Sequence, residues 1–279
     1  MMMTKVTFLG TGGGRHTTMF QARSTGGFLL ETKGSRIHVD PGPGALTNMR
    51  DIGYDLRTTG AIVISHCHPD HYSDAESVIE GMTYGGWKKR GSVYGSVTVM
   101  EGQDGLGPRI STYHRGLAER TYTMRPGDVF DIAGVRTEIT KSIHNDPTGV
   151  GFRFHTDEGV ISYVSDTYYS DEIAEQYKGS RILFLPITTP RNNRIKGHMC
   201  VDDAAPFINI VRPELCVFIH LGIVMLKHDP VKAAKEIEAE TGVKVISGED
   251  LMTLEIGDDI IIGQAERTRP EWNDAWDLE

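Results

Sequence analysis

Cysteine is scarce: three residues in 279, and Cys67, Cys200 and Cys216 show no Cys-x-x-Cys spacing. That argues against a disulfide framework and a structural zinc knuckle and leaves reduced thiols. Long apolar runs are missing too, since none approaches the roughly 18 residues that a membrane span needs. The start, Met1-Met2-Met3-Thr4-Lys5-Val6, passes straight into a strand-like segment without a signal-peptide core, so a cytoplasmic protein is expected. Positive charge is in deficit. A formal net charge of −9 disfavours a surface that coats nucleic acid, and any nucleic-acid role has to rest on a local basic patch. No linker rich in Pro, Ser or charge occurs, nor any internal repeat of about 20 to 50 residues. Residues 1–279 are therefore read as a single domain.

What is present suits a soluble globular chain, 39% hydrophobic and 24% charged. Short strands punctuated by glycine run over Lys5 to Leu9, Gly27 to Thr32, Arg36 to Asp40 and Ala61 to Ser65, as neighbours in one sheet. Apolar or small residues at helical spacing (Ala75, Val78, Ile79, Met82) predict a helix over Asp74 to Met82. Thr83 to Arg120 is rich in glycine and has no clear period; a cap or lid over a site is one reading of it. Strands return at Val129 to Ile132, Val135 to Thr140, Val150 to Phe154 and Val160 to Val164, with tight turns at Ala133-Gly134 and Asp157-Glu158-Gly159. In the last third, strands at Ile182 to Leu185, Leu215 to Ile219 and Val243 to Ile246 alternate with helices at Val201 to Val211 and Val231 to Thr241. Strands followed by helices, twice over, imply an α+β fold of four layers, αββα, with two mixed sheets face to face. No role is read for the tail Glu266 to Glu279.

The chemistry concentrates in Ser65-His66-Cys67-His68-Pro69-Asp70-His71. Three imidazoles and a carboxylate within six residues, directly after an apolar strand, are too dense for a core in a chain with 11 histidines in 279 residues. On an extended chain His66 and His68 project to the same side and can bind one ion. Asp70 and His71, beyond the turn at Pro69, then face a second.

This HxHxDH motif after a buried strand resembles the signature of the metallo-β-lactamase superfamily, and the likeness runs over most of the chain. The opening strand leads into Gly10-Thr11-Gly12-Gly13-Gly14, and an early strand ends in Asp40 before Pro41-Gly42-Pro43-Gly44, both as in that family. The resemblance implies that Asp40 hydrogen-bonds to the histidine loop and orients it. It makes His144, in Ile143-His144-Asn145-Asp146, a ligand of the first metal; His155, before its turn, is the competitor and is expected to be exposed. Asp166, after Tyr163-Val164-Ser165, is the bridging carboxylate, and His220, closing Val217-Phe218-Ile219, completes the second metal. The implied cofactors are two divalent ions per chain, zinc first, with manganese or iron as alternatives. Zinc β-lactamases proper carry cysteine where Asp166 stands. A hard oxygen bridge supports a metal pair about 3.5 to 4 Å apart, of the kind used on phosphoesters.

His198, in Lys196-Gly197-His198-Met199, matches the non-ligand histidine of the tRNA 3′-processing endonucleases and related phosphodiesterases, which makes it a candidate general acid. Asp70 is the other catalytic candidate, as ligand or base. Arg191, Arg194 and Lys196, with Asn192 and Asn193, form a basic loop that would welcome a phosphate or carboxylate. His16, His38, His114 and His228 match no motif and are read as structural or exposed. The departures are Met199-Cys200 and Leu221-Gly222-Ile223, where the tRNA enzymes carry other residues, and the lack of a long arm between Tyr72 and Met100. The expected activity is a metal-dependent hydrolase, most of all a phosphodiesterase, acting on a small-molecule or nucleotide-like anionic substrate with no nucleic-acid coat and no membrane. The alternatives are a thioesterase or lactonase of the same fold and a non-catalytic metal- or ligand-binding member. A homodimer is left open.

Overall fold

The central strands are buried on both faces, and their alternating side chains feed two different cores. Leu29, Ile62 and Ile64 point one way while Phe28, Leu30, Ala61 and Val63 point the other; in the second half Leu183, Leu185, Cys216 and Phe218 oppose Ile182, Phe184, Leu215 and Val217. Period-2 side chains that are apolar on both sides require a sheet covered on both faces. The computed structural model, which describes residues 3–268, has that form: an eight-stranded and a seven-stranded sheet share a central apolar layer, and helices cover the outer faces. Phe8 and Phe28 of the first sheet meet Phe184 of the second edge-on, with ring centroids 4.9 and 5.2 Å apart. Such aromatic pairs add to the area that they bury.

Each sheet is half antiparallel and half parallel. In the first, Ile260–Gln264, Met252–Ile256, Thr4–Phe8, Phe28–Thr32 and Ser35–Val39 are antiparallel in that order, and Ala61–Ile64, Arg90–Ser96 and Ala118–Met124 extend the sheet in parallel. In the second, Val129–Ile132, Val135–Lys141, Val150–Thr156 and Gly159–Tyr163 are antiparallel, and Ser180–Pro186, Leu215–Ile219 and Lys244–Ser247 follow in parallel. The hairpin at Ala133-Gly134 has both residues at positive φ, the two-residue turn that matches strand twist. Within each sheet this topology brings the carboxyl ends of the strands that precede the candidate residues to one edge. Those ends are Phe8, Val39 and Ile64 in one sheet and Lys141, Tyr163 and Ile219 in the other.

The helices Val201–Val211 and Pro230–Thr241 lie where their periodicity places them, and Ala75–Met82 begins one residue after Asp74. Thr83 to Arg120 is not a cap. Its strands Arg90–Ser96 and Ala118–Met124 complete the parallel edge of the first sheet, and its helix Thr112–Leu117 packs on Ala75–Met82. Glycine at 91 and 95 hid the first of these strands: a Cβ at Gly91 would strike Met82 and one at Gly95 would press on Val99 and Met100, so the small residues serve close packing. No helix among the described residues is long and apolar enough to cross a membrane. Of the tail, residues 269–279 lie outside the described residues.

Candidate metal centre

Pro69 starts the short helix Pro69–Tyr72, where its missing N–H costs nothing. The extended His68 precedes it, so His66 and His68 stay on one limb while Asp70 and His71 turn onto the other. The result is two groups of side chains. His66 Nε2 and His144 Nε2 stand 3.1 and 3.0 Å from His68 Nδ1, and 3.8 and 3.6 Å from Asp166 Oδ2. On the other side His220 Nε2 lies 3.3 Å from Asp70 Oδ2 and 3.1 Å from Asp166 Oδ2. His71 Nε2 lies 3.7 and 3.6 Å from the same two oxygens. Ligands about 2.0 to 2.2 Å from one tetrahedral ion sit about 3.3 to 3.6 Å from each other, so both groups have the span of a coordination shell.

The outward nitrogens determine which atom of each ring faces inward. His144 Nδ1 is 2.7 Å from the Gly197 carbonyl, which can only accept, so the proton is on Nδ1 and the Nε2 lone pair faces the cluster. His71 Nδ1 likewise donates to Asp40 at 2.8 Å. Ser65 Oγ gives its proton to Asp40 at 2.6 Å and can then accept from His66 Nδ1 at 3.0 Å. Thr188 Oγ1 lies 3.1 Å from His220 Nδ1 and 3.3 Å from His198 Nδ1; accepting from the first and donating to the second, it leaves the His198 proton on Nε2. His71 Nε2 and Asp166 Oδ1 are buried without a hydrogen-bond partner. Buried polar atoms are rarely left so unless something else meets them, and a cation fits both.

Three positions in this frame are strained. Asp40, Ser165 and His220 all have positive φ, between 52° and 59°, each at the end of a strand that feeds the cluster. Left-handed backbone costs about 1 kcal/mol or more in such residues, so the bonds around them have to offset it. The glycine-rich loop accounts for its own composition: a Cβ on Gly13 would overlap the His220 ring, and Gly14 N donates to Asp70 Oδ2 at 2.8 Å.

The charges are coupled. Burial opposes a proton on His71, but Asp70, Asp166 and the bond to Asp40 outweigh it and hold the value well above the ordinary histidine range. His220 is raised to about 9 by the same contest, with Asp166 prevailing over burial. Asp70 and Asp166 are held far below the usual carboxylate range, because the imidazoles overcome the cost of burial. His66 is pushed well down by burial and by His71. His198 falls to about 4, burial outweighing the pull of Asp166, so it is neutral at pH 7.

All eight sequence-derived candidates (His66, His68, Asp70, His71, His144, Asp166, His198 and His220) therefore converge, and His198 Nδ1 is 3.7 Å from Asp166 Oδ2. Asp40 makes the expected bonds to the histidine loop. The basic loop is corrected: Arg191 pairs with Asp202, Glu236 and Glu240, and Arg194 with Asp203, leaving Lys196 as the basic member that lines the cavity beside the cluster. The acids at the start of Val201–Val211 and on the neighbouring helix took both arginines. His155 is half-buried rather than exposed, paired with Glu138 at 3.2 Å and away from the cluster. His38 is fully buried on the Gly26 carbonyl, and His16, exposed, lines the cavity. Three supports went unread in the sequence: Tyr163, whose hydroxyl donates to Asp40 at 2.7 Å, Thr188, and Asp146. The last, quoted beside His144 without a role, accepts the Cys67 N–H at 2.9 Å and the Thr98 hydroxyl, pinning the loop between His66 and His68.

Comparison with known proteins agrees with this geometry. A family model described as a beta-lactamase superfamily domain matches residues 35–221. An uncharacterized protein of Methanocaldococcus jannaschii is 41% identical over 88% of this chain and 92% of its own length. The cAMP/cGMP-dependent 3′,5′-cAMP/cGMP phosphodiesterase B of Dictyostelium discoideum is 29% identical over 64% of this chain but only 16% of its own. Ribonuclease Z of Methanosarcina acetivorans is 25% identical over 52% of this chain and 47% of its own. Among solved structures, a metallo-β-lactamase fold protein of Bacillus subtilis superposes with a TM-score of 0.73 at 18% identity, covering 94% of this chain and 100% of that one. The short form of human tRNase Z gives 0.62 at 16% identity, covering 91% and 99%. With a matching family model, the same two-sheet fold and a His/Asp cluster able to hold divalent metal, the chain belongs to the beta-lactamase superfamily, in its metallo-β-lactamase fold, a family of hydrolases.

Proposed function

We propose that the chain is a single-domain phosphodiesterase that works with two divalent metal ions, zinc, manganese or iron. His66, His68, His144 and Asp166 hold the first, and Asp70, His71, His220 and Asp166 the second. The observation that carries this reading is the position of Asp166 Oδ2, within 3.1 to 3.8 Å of His66, His71, His144 and His220 at once. When bound, the ions lower the pKa of water towards about 7 and offset the charge on phosphate.

The chain's own groups do the rest. In hydrolysis the water oxygen bonds to phosphorus, the bond to the leaving oxygen breaks, and that oxygen takes up one proton. Gly14 N holds the Asp70 carboxylate in place. His198, neutral with its proton on Nε2, can donate a hydrogen bond to a phosphate oxygen in the cavity. An anionic substrate in contact raises its pKa, the condition for passing a proton to the leaving group. Lys196 adds a positive charge at the same wall. Support also comes from two relatives, a cyclic-nucleotide phosphodiesterase and a ribonuclease by name.

The test is a substrate panel with metal-loaded protein. Bis-p-nitrophenyl phosphate is expected to be cleaved faster than a β-lactam or a glutathione thioester. Preference for either of the latter overturns the assignment, and no turnover of any class favours a binding protein.

A further inference from the structure

The cavity beside the cluster has a volume of about 660 Å³, within the range of small-molecule sites. One wall is the helix Arg15–Phe20, which follows the glycine loop, and the other is the segment before His198. Arg15 and Lys196 both line it, both are exposed, and neither forms an ion pair among the described residues, whereas Arg191 and Arg194 are taken by acids. Large apolar side chains stand beside these cations: Met19 is 67% exposed and Ile195 45%, with Val224 on the same cavity. Apolar groups held in water around a site with few charges are what a ligand covers.

We infer that this cavity selects a small phosphodiester bearing a planar aromatic group of about nucleoside size, with Arg15 and Lys196 reading the charge and Met19, Ile195 and Val224 the aromatic part. The inference rests on the phosphodiester reading and narrows its substrate. The wall is tied to the metal site through one residue. Gly14 donates its N–H to Asp70 and accepts, at its carbonyl, from Thr18 N and Thr18 Oγ1 in the helix. A ligand resting on Met19 is thereby positioned relative to Asp70 by a single turn of backbone. Arginine suits this wall because its planar guanidinium can stack on a ring as well as pair with an anion.

The test measures binding, independent of turnover, by titrating metal-loaded protein with adenosine 5′-monophosphate and with inorganic phosphate. The nucleotide is expected to bind about tenfold or more tighter than phosphate, the scale of one well-covered ring. Met19→Ser with Ile195→Ser should erase most of that preference and leave phosphate affinity in place. Arg15→Ala and Lys196→Ala should each weaken nucleotide binding by about five- to tenfold, with Arg15→Lys restoring part, while Arg191→Ala changes neither. Equal affinity for the two ligands, or Arg15→Ala indistinguishable from wild type, overturns the inference. If this pattern holds while no phosphodiester is cleaved, only the activity reading fails. If bis-p-nitrophenyl phosphate is cleaved and the pattern is absent, only the cavity inference fails.

Discussion

Asp40 Oδ2 accepts the Nδ1 proton of His71 across 2.8 Å, with both side chains under 5% exposed. The same carboxylate accepts from Ser65 N and Ser65 Oγ in the first sheet and from Tyr163 Oη in the second, at 2.6 to 2.7 Å. One aspartate thus ties the edges of both sheets together. It also points His71 Nε2 at the cluster, where its proton gives way when metal binds, and the four bonds offset its left-handed backbone.

Asp40→Ala leaves those donors buried without an acceptor, which costs about 1 to 3 kcal/mol of stability or more. It also frees the His71 ring, so metal affinity at the second group is expected to fall by about 10- to 100-fold. Asp40→Asn, which keeps one acceptor, should lose less of both. Chelator competition together with thermal unfolding reads the two effects. Unchanged affinity in Asp40→Ala would show that Asp40 has no part in orienting the site.

The string from His66 to His71 could be read from the residues themselves, and the rest of the site through the resemblance, because the family's motifs recur in order at strand ends. The string from Ser65 to His71 follows an apolar strand, and Asp166 and His220 each close another. What eluded the reading lacked a local signal. Tyr163 looks like one more apolar strand residue until its hydroxyl is seen on Asp40, some 120 positions away in sequence. Asp146 is two residues from His144, yet its partners Cys67 and Thr98 lie in a loop and a short helix that follow strands of the other sheet. The basic loop misled for the opposite reason: Arg191 and Arg194 are close to His198 in sequence, but Asp202 and Asp203 lie closer in space. In the fold, period-2 strands with long helices were legible. The glycine-bearing strand Arg90–Ser96 and the six-residue helix Arg15–Phe20 were too short or too interrupted to register.

Gly13→Ala should displace the His220 ring, since the added Cβ has no room beside it. The loop backbone and Asp70 remain, so the protein is expected to fold yet hold less metal at the second group. Elemental analysis alongside circular dichroism distinguishes this from general misfolding. Full metal content with a native spectrum would mean that the loop yields without disturbing the ring.

In the metal-free protein His220, at about 9, and His71, held well above the ordinary histidine range by Asp70 and Asp166, both carry protons at pH 7. Their raised values stabilise the metal-free fold fully below the unfolded histidine value of about 6.5, and the His220 contribution is lost as pH rises through about 9. Metal must displace these protons, so affinity at the second group is expected to climb from pH 7 to 9 while the melting temperature of the metal-free protein falls. Calorimetry of metal binding in buffers of different ionisation enthalpy counts the protons released. A binding heat independent of buffer would contradict the assignment.

His198→Ala is expected to leave metal content intact and slow phosphodiester hydrolysis by about 10²-fold, the scale of a lost proton donor or phosphate contact. Its Nδ1 is close enough to Asp166 and His220 to belong to the same cluster, so the metal measurement matters as much as the rate. Loss of an ion in this variant would move His198 from substrate contact to ligand.

Asp166 decides between one ion and two. Its Oδ2 lies within 3.8 Å of histidines of both groups, and an ion pair about 3.5 to 4 Å apart that shares it would be magnetically coupled when both ions are manganese. Loaded wild-type protein is therefore expected to bind two equivalents and to show the electron paramagnetic resonance pattern of an exchange-coupled pair. Asp166→Ala should bind one equivalent or fewer, give only an isolated-ion spectrum and lose about 10³-fold or more in rate, because the remaining ion lacks its partner across the phosphate. His71 and His220 stay in place in that variant, held from outside by Asp40 and Thr188, so the loss would report on the bridge rather than on collapse of the pocket. An isolated-ion spectrum from fully loaded wild-type protein would sink the two-ion reading, and with it the role given to Asp166.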